Sequence, residues 1–244
     1  MSIQDLIMNT QDLDGEIEID LLEMDEVSAH AKGGGIVSYT AMVSSETTVS
    51  KNAFVEDFAR IFGKCRVGDN AIVKDEATLF ENVSVSKNAC VSGKACLMGS
   101  VVVTDNARIF DEAMLGGSGT VAGQTVVKGK ARLSGKYLLT GETFVEGDIN
   151  ISGSFIFRDV YISASASFPD WKKVSLKSAV ITKTPGVYYN DEVVIICTDN
   201  CLFINDHRVN YDDVAWASIV EIEEDDEVAL LMRKYKTVIE SMME

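Results

Sequence analysis

The chain is short of the features on which nucleic-acid-binding, membrane-spanning and disulfide-bonded proteins depend. It has 22 basic against 38 acidic side chains, a formal net charge of −16. A protein that neutralises phosphates needs a basic face, so this balance argues against direct binding to nucleic acid or to an anionic membrane. No apolar run approaches the roughly 18 residues that a membrane-spanning helix requires. The first residues, Met1-Ser2-Ile3-Gln4-Asp5, carry no basic leader segment, and the expectation is a soluble cytoplasmic protein. The five cysteines (Cys65, Cys90, Cys96, Cys197 and Cys201) are odd in number and include no CxxC pair, which speaks against a disulfide framework or a zinc knuckle. The two histidines, His30 and His207, both lie outside the stretch from Val37 to Phe157. What the chain does have is 46% hydrophobic residues, enough for a sizeable core.

Those hydrophobic residues are periodic. From Val37 every sixth residue is large and apolar (Val43, Val49, Val55, Ile61, Val67 and onward to Ile151 and Phe157), 21 positions without an exception. Four residues after most of them stands something small or β-branched, such as Ala53, Ala59, Cys65, Ala71 and Ala77. A period of six is neither helical nor that of a coiled coil, but it is a multiple of two and suits short strands joined by regular corners. Two residues after the apolar position come Asp57, Gly63, Asp69 and Asp75, and later an unbroken series of glycines from Gly117 to Gly153. Asp and Gly tolerate the corner conformations that β-branched residues resist.

Hexads such as Val91-Ser92-Gly93-Lys94-Ala95-Cys96 and Val127-Lys128-Gly129-Lys130-Ala131-Arg132 resemble those of the hexapeptide-repeat left-handed parallel β-helices. The resemblance implies an all-β fold with three hexads per triangular coil, hence about seven coils, and a left hand. At the usual ~4.8 Å between strands the stack is about 30 Å tall. This divides the chain into an acidic N-terminal cap (1–36), the β-helix (37–157) and a small C-terminal α+β segment (158–244).

The caps are expected because a stacked coil exposes ladder edges at its ends. Ser2 and Asp5 with Ile3, Leu6 and Ile7 suggest a short capped helix, residues 16–21 alternate like a strand, and Gly33-Gly34-Gly35 marks the hinge into the first coil. After Phe157 the hexads stop, and both prolines and both tryptophans follow. Residues 193–197 and 201–205, joined by Thr198-Asp199-Asn200, predict a hairpin. Asn210 and Asp213 suit the N-cap of a short helix carrying Val214 and Trp216. Val228, Leu231, Met232, Tyr235, Val238, Ile239 and Met242 share one face of an amphipathic helix over 225–243. The stretch Leu202-Phe203-Ile204-Asn205-Asp206-His207, followed by Asp212-Asp213-Val214-Ala215-Trp216, also resembles phage and bacterial hexapeptide-repeat proteins, and that likeness implies no activity.

The enzymes of the hexapeptide-repeat class are chiefly acyltransferases that use a coil histidine as general base beside coenzyme A. No coil histidine exists here, so that role carries over to no residue, and no catalytic, cofactor or metal site is assigned. A supply of His30 to a neighbouring copy's coil is the remaining catalytic alternative. The glycines of Gly116-Gly117-Ser118-Gly119 keep hexad spacing and match no phosphate loop. Asp57, Asp75 and Asp111, spaced by multiples of 18, share one edge as a row of turn residues, with a bridging cation as the alternative.

Outward-facing rows, read at every eighteenth position, carry more signal. One runs Phe54, Ile72, Cys90, Arg108, Val126 and Phe144; another runs Phe62, Phe80 and Met98, with Cys96 and Met114 alongside. Apolar rows on a solvated face imply a cover: either the C-terminal helix folded back, or an interface with a protein partner or a second copy, as a dimer or trimer. The leading expectation is therefore a non-catalytic scaffold or binding protein, an accessory or inhibitory factor of phage or bacterial type. The alternatives are an acyltransferase and an acidic nucleic-acid mimic that blocks a basic DNA-binding enzyme. The charge bears on the last of these: residues 37–157 are nearly neutral (12 basic, 13 acidic), while the caps hold the acidic patches Asp12, Asp14, Glu16, Glu18 and Asp20, and Glu223, Glu224, Asp225 and Asp226. A mimic would have to act through an acidic end.

Overall fold

The computed structural model describes residues 27–163, 166–167, 171–181, 185–190, 192–205, 207–211 and 227–243. The proposed N-terminal helix and strand, all nine acidic-patch residues, Val214 and Trp216 lie outside them.

Two-residue strands recur at every sixth position, and each pairs in parallel with the third strand after it, as Thr48↔Arg66, Phe54↔Ile72 and Cys96↔Met114 do. The chain is thus a parallel β-solenoid of about seven turns, whose strands stack into three sheets of ten, eight and eight strands. Face I carries Ile36, Phe54 and Ile72 in successive coils, face II Met42, Arg60 and Thr78, and face III Thr48, Arg66 and Ser84. Coils are numbered from residue 36, so that Phe54 opens coil two and Phe144 coil seven. The hexad residues fill the interior: Val55, Ile61, Val67, Val73 and Leu79 are fully buried, as are the small residues Ala53, Ala59, Ala71 and Ala77 packed between them. In a close-packed prism this small position leaves room for the larger neighbours.

The corners explain the Asp and Gly pattern. Asp57, Asp69, Asp75, Asp105 and Asp111 all have positive φ, between 53° and 63°. A hydrogen bond to the side chain offsets the strain of that conformation: Asp75 accepts one from the Gly93 amide at 2.8 Å, Asp105 from Gly123 at 3.0 Å and Asp111 from Gly129 at 3.1 Å, each amide one coil on. At Gly117 (φ 87°) no side chain fits, because a Cβ would lie 2.4 Å from the Gly135 carbonyl oxygen.

The parallel strands run on past Phe157, where the hexads end. Phe144 pairs with Tyr161, where an unbroken repeat would bring Ile162 opposite it, so the corner after Phe157 is shorter by one position, and the coil then continues to Val180–Ile181. The last coils have an aromatic interior. Tyr137 occupies a position held by Thr47, Cys65, Val83, Val101 and Gly119 in earlier coils, stacks on Phe155 at 5.4 Å, and fits because the residue beneath it is Gly119.

Both ends are covered. Val27–Ala29 pairs antiparallel with Ile36–Ser38, and the 30–35 turn closes on coil one through Gly35 N–H to Val49 O (2.9 Å) and Val49 N–H to Lys32 O (3.0 Å). At the far end Gly186–Tyr189, Val194–Cys197, Cys201–Ile204 and His207–Asn210 form an antiparallel sheet that contains the expected hairpin. Its two central strands, Val194–Cys197 and Cys201–Ile204, are apolar on both sides. Ile196, Cys201 and Phe203 join the solenoid core, whereas Ile195, Cys197, Leu202 and Ile204 pack beneath Met232, Tyr235 and Ile239. The expected amphipathic helix is present as Glu227–Lys234 and Lys236–Met243, broken at Tyr235. Tyr235 donates a hydrogen bond to Glu192 at 2.9 Å, and Lys234 binds the same carboxylate at 2.7 Å. Among the described residues no helix is long and apolar enough to cross a membrane.

The Gly119–Tyr137 fit is open to a two-sided test by denaturant unfolding. A Cβ at Gly119 would lie 2.0 Å from the Tyr137 ring, so Gly119→Ala should destabilise by about 1–3 kcal/mol, as overpacking does. The Tyr137 hydroxyl is buried with no hydrogen-bond partner, so Tyr137→Phe should be neutral or stabilise by about 1 kcal/mol.

Candidate functional surface

Each coil face has three outward columns: a leading flank just after the corner, a centre, and a trailing flank just before the next corner. On face I the centre carries Phe54, Ile72, Cys90, Val126 and Phe144, interrupted by exposed Arg108. Stacking half-buries this row, and Ile72 keeps only 8% of its surface. Phe144 lies flat against Tyr161 at 5.2 Å, with the Lys128 ammonium 5.2 Å from its ring and 2.8 Å from Glu146. The leading flank is an amide ladder: Asn70 donates to Asn88 (3.3 Å) and Asn88 to Asn106 (3.1 Å).

Face II is the more open. Phe62, Met98 and Met114 are 36%, 42% and 41% exposed, and Phe62 stacks on Phe80 at 5.7 Å. Cys96 pairs with Met114 in the centre column, while Phe62, Phe80 and Met98 form the trailing flank. The residues grouped from sequence therefore do share a surface. Missing from that group is the leading flank beside them, Glu76, Lys94, Glu112, Lys130 and Asp148, whose charge alternates from coil to coil. Reading the charged residues at the interval that reveals the apolar rows finds it. A second alternating series, Lys51, Asp69, Lys87 and Asp105, runs up the edge before face I, with Lys87 and Asp105 2.6 Å apart. That contact raises the Lys87 pKa and lowers that of Asp105.

The C-terminal helices cover neither row. They lie on the C-terminal sheet, against Gly186–Tyr189, Val194–Cys197 and Cys201–Ile204.

The candidate chemical groups are dispersed. His30 is half-buried in the N-terminal turn with its Nδ1 at the Lys32 backbone, whereas exposed His207 is in the sheet beyond the other end. The Asp57, Asp75 and Asp111 carboxylates do share one edge, where each accepts a backbone amide of the next coil. Among the described residues no group of three or more His, Cys, Asp or Glu could hold a metal ion. Burial raises the pKa of every cysteine for which a shift is resolved, Cys197 to about 11, and so withholds the reactive thiolate. Compared with known proteins, the chain matches no family model and no curated protein sequence.

Thiol labelling checks this map of faces. Cys65, Cys197 and Cys201 are buried, while Cys90 and Cys96 are half-buried in the outward rows. Native protein treated with a maleimide should label slowly at Cys96 and Cys90 alone, faster as the pH rises toward the thiol pKa, with the other three reacting only after unfolding. Rapid native labelling of Cys201 would contradict the packing of the C-terminal sheet.

Proposed function

We propose that the chain is a non-catalytic scaffold of the hexapeptide-repeat kind, which works by binding protein on the outer faces of its coils. One observation carries this reading: large apolar side chains stand in rows on face II at about two-fifths exposure, while the C-terminal helices are committed to their own sheet. Stacked apolar rows on a rigid prism favour a partner that removes them from water, because fixed side chains lose little entropy on binding. Face I offers a second, flatter row that ends in the Phe144–Tyr161 pair.

Affinity capture from a lysate of the source cells tests the reading, with Met98→Glu altering face II and Tyr161→Glu altering face I. Both side chains are more than 40% exposed, so the variants should fold as the parent does. At least one of them is expected to lose a protein that the parent retains; identical retention by parent and both variants would count against the outer faces.

Calorimetric titration addresses the acyltransferase alternative. Acetyl-coenzyme A should give no saturable heat with the parent chain. A saturable response abolished by His30→Ala or His207→Ala would overturn the non-catalytic reading.

A further inference from the structure

We infer that face II is built to mate with face II of a second copy, the two solenoids running antiparallel about a two-fold axis that lies along the strands and passes between coils four and five. The inference rests on the protein-binding reading of the outer faces and names the partner for one of them.

All three columns of the face bear on this. On the trailing flank, coils two to four carry the bulky Phe62, Phe80 and Met98, and coils five to seven carry the small Gly116, Ser134 and Ser152. The proposed axis brings coil two opposite coil seven, three opposite six, and four opposite five. Phe62 of one copy then meets Ser152 of the other, Phe80 meets Ser134, and Met98 meets Gly116, so each large side chain faces a gap. On the leading flank the same operation sets Glu76 opposite Lys130 and Lys94 opposite Glu112, each pair occurring twice by symmetry, while the outermost coils set exposed Phe58 opposite Asp148 without a charge pair. In the centre Cys96 meets Met114 and Thr78 meets Arg132, so no like charges are opposed.

Shape and charge thus select the same axis. Moving it by one whole coil in either direction sets two bulky trailing residues against each other or two small ones; moving it by half a coil sets like charges together. A two-fold along the stack instead would place the charged flank against the phenylalanines. Within one chain the leading flank is poorly satisfied: the closest pair, Lys94 and Glu76, is 3.9 Å apart, and among the described residues Glu112, Lys130 and Asp148 form no ion pair. These charges remain available to a partner.

Six coils at ~4.8 Å spacing and about five residues of strand width make a face of roughly 25 by 15 Å, for a total burial on the order of 1,000 Å². That is the lower limit for a specific interface, so the dimer should be weak, with a dissociation constant on the order of 10 µM.

Sedimentation equilibrium with charge-swapped variants tests the arrangement. The parent should dimerise in that range. Lys94→Glu alone and Glu112→Lys alone each oppose like charges at two symmetric places and should weaken the dimer about tenfold or more. The double variant Lys94→Glu/Glu112→Lys restores opposite charges and should return to within about threefold of the parent, which happens only if positions 94 and 112 meet across the interface. Circular dichroism of each variant verifies the fold. A parent that stays monomeric at about 100 µM, or a double variant no tighter than the singles, overturns the inference. Loss of a captured protein in Tyr161→Glu from an otherwise monomeric chain would remove this dimer and leave the protein-binding reading standing.

Discussion

The stack hangs on one backbone relation, in which an outward residue on a coil face donates its N–H to the carbonyl of the small residue one coil further on. Thr48 does so to Cys65, Phe54 to Ala71 and Cys90 to Ala107, all within 2.9–3.0 Å. Through the hexads that ladder stays in register because every coil has the same length, three hexads for three sides and three corners. A one-residue insertion within a strand would turn the side chains after it to the opposite side of the wall unless a bulge absorbed it, as happens in the last coil, where the pairing shifts from Gly153↔Trp171 to Phe155↔Val174. The single omission, after Phe157, is tolerated because it falls in a corner, where Asp159 takes positive φ and the next strand resumes pairing at Tyr161.

The same relation places like positions about 4.8 Å apart all along the stack, and so turns composition into rows. A repeated apolar residue makes a ladder whose members shield one another, as Phe62 and Phe80 do, and a repeated amide makes the Asn70–Asn88–Asn106 chain. A repeated charge would repel itself. Charge alternates along the stack in the Lys51 to Asp105 series and again in the Glu76 to Asp148 series, whereas the like-charged neighbours Asp57 and Asp75 are tied into backbone hydrogen bonds. Alternation relieves repulsion within the coil and, in the second series, also makes the face able to complement an inverted copy of itself.

The ends meet the opposite problem, since open ladders must be closed without continuing the stack. At the start a short antiparallel strand and the glycine turn at 33–35 occupy the edge. At the finish a four-stranded sheet sets one apolar side against the last coil and the other against the C-terminal helices. Those helices are engaged there and do not cover the rows on faces I and II.

Much of this architecture was legible in the chain alone, because period six is a local property: buried Val, Ile and Leu at one position, small residues four later, and Asp or Gly at the corner each follow from backbone geometry that neighbours in sequence impose. The hairpin around Thr198-Asp199-Asn200 and the apolar helical stripe ending at Met242 were readable for the same reason. The tertiary structure alone decided that the coil outlasts its hexads, since the pairing of Tyr161, Ile162 and Ile181 is set by the ladder below them and no longer by their own spacing. It alone decided where the C-terminal stripe docks, because an amphipathic face specifies an apolar partner without specifying which one. The candidate surface was legible by halves. Its apolar rows and its alternating charges appear on counting by 18, but which rows stay exposed, and that the C-terminal helices cover neither, is decided only by the stacked coils and the docked sheet.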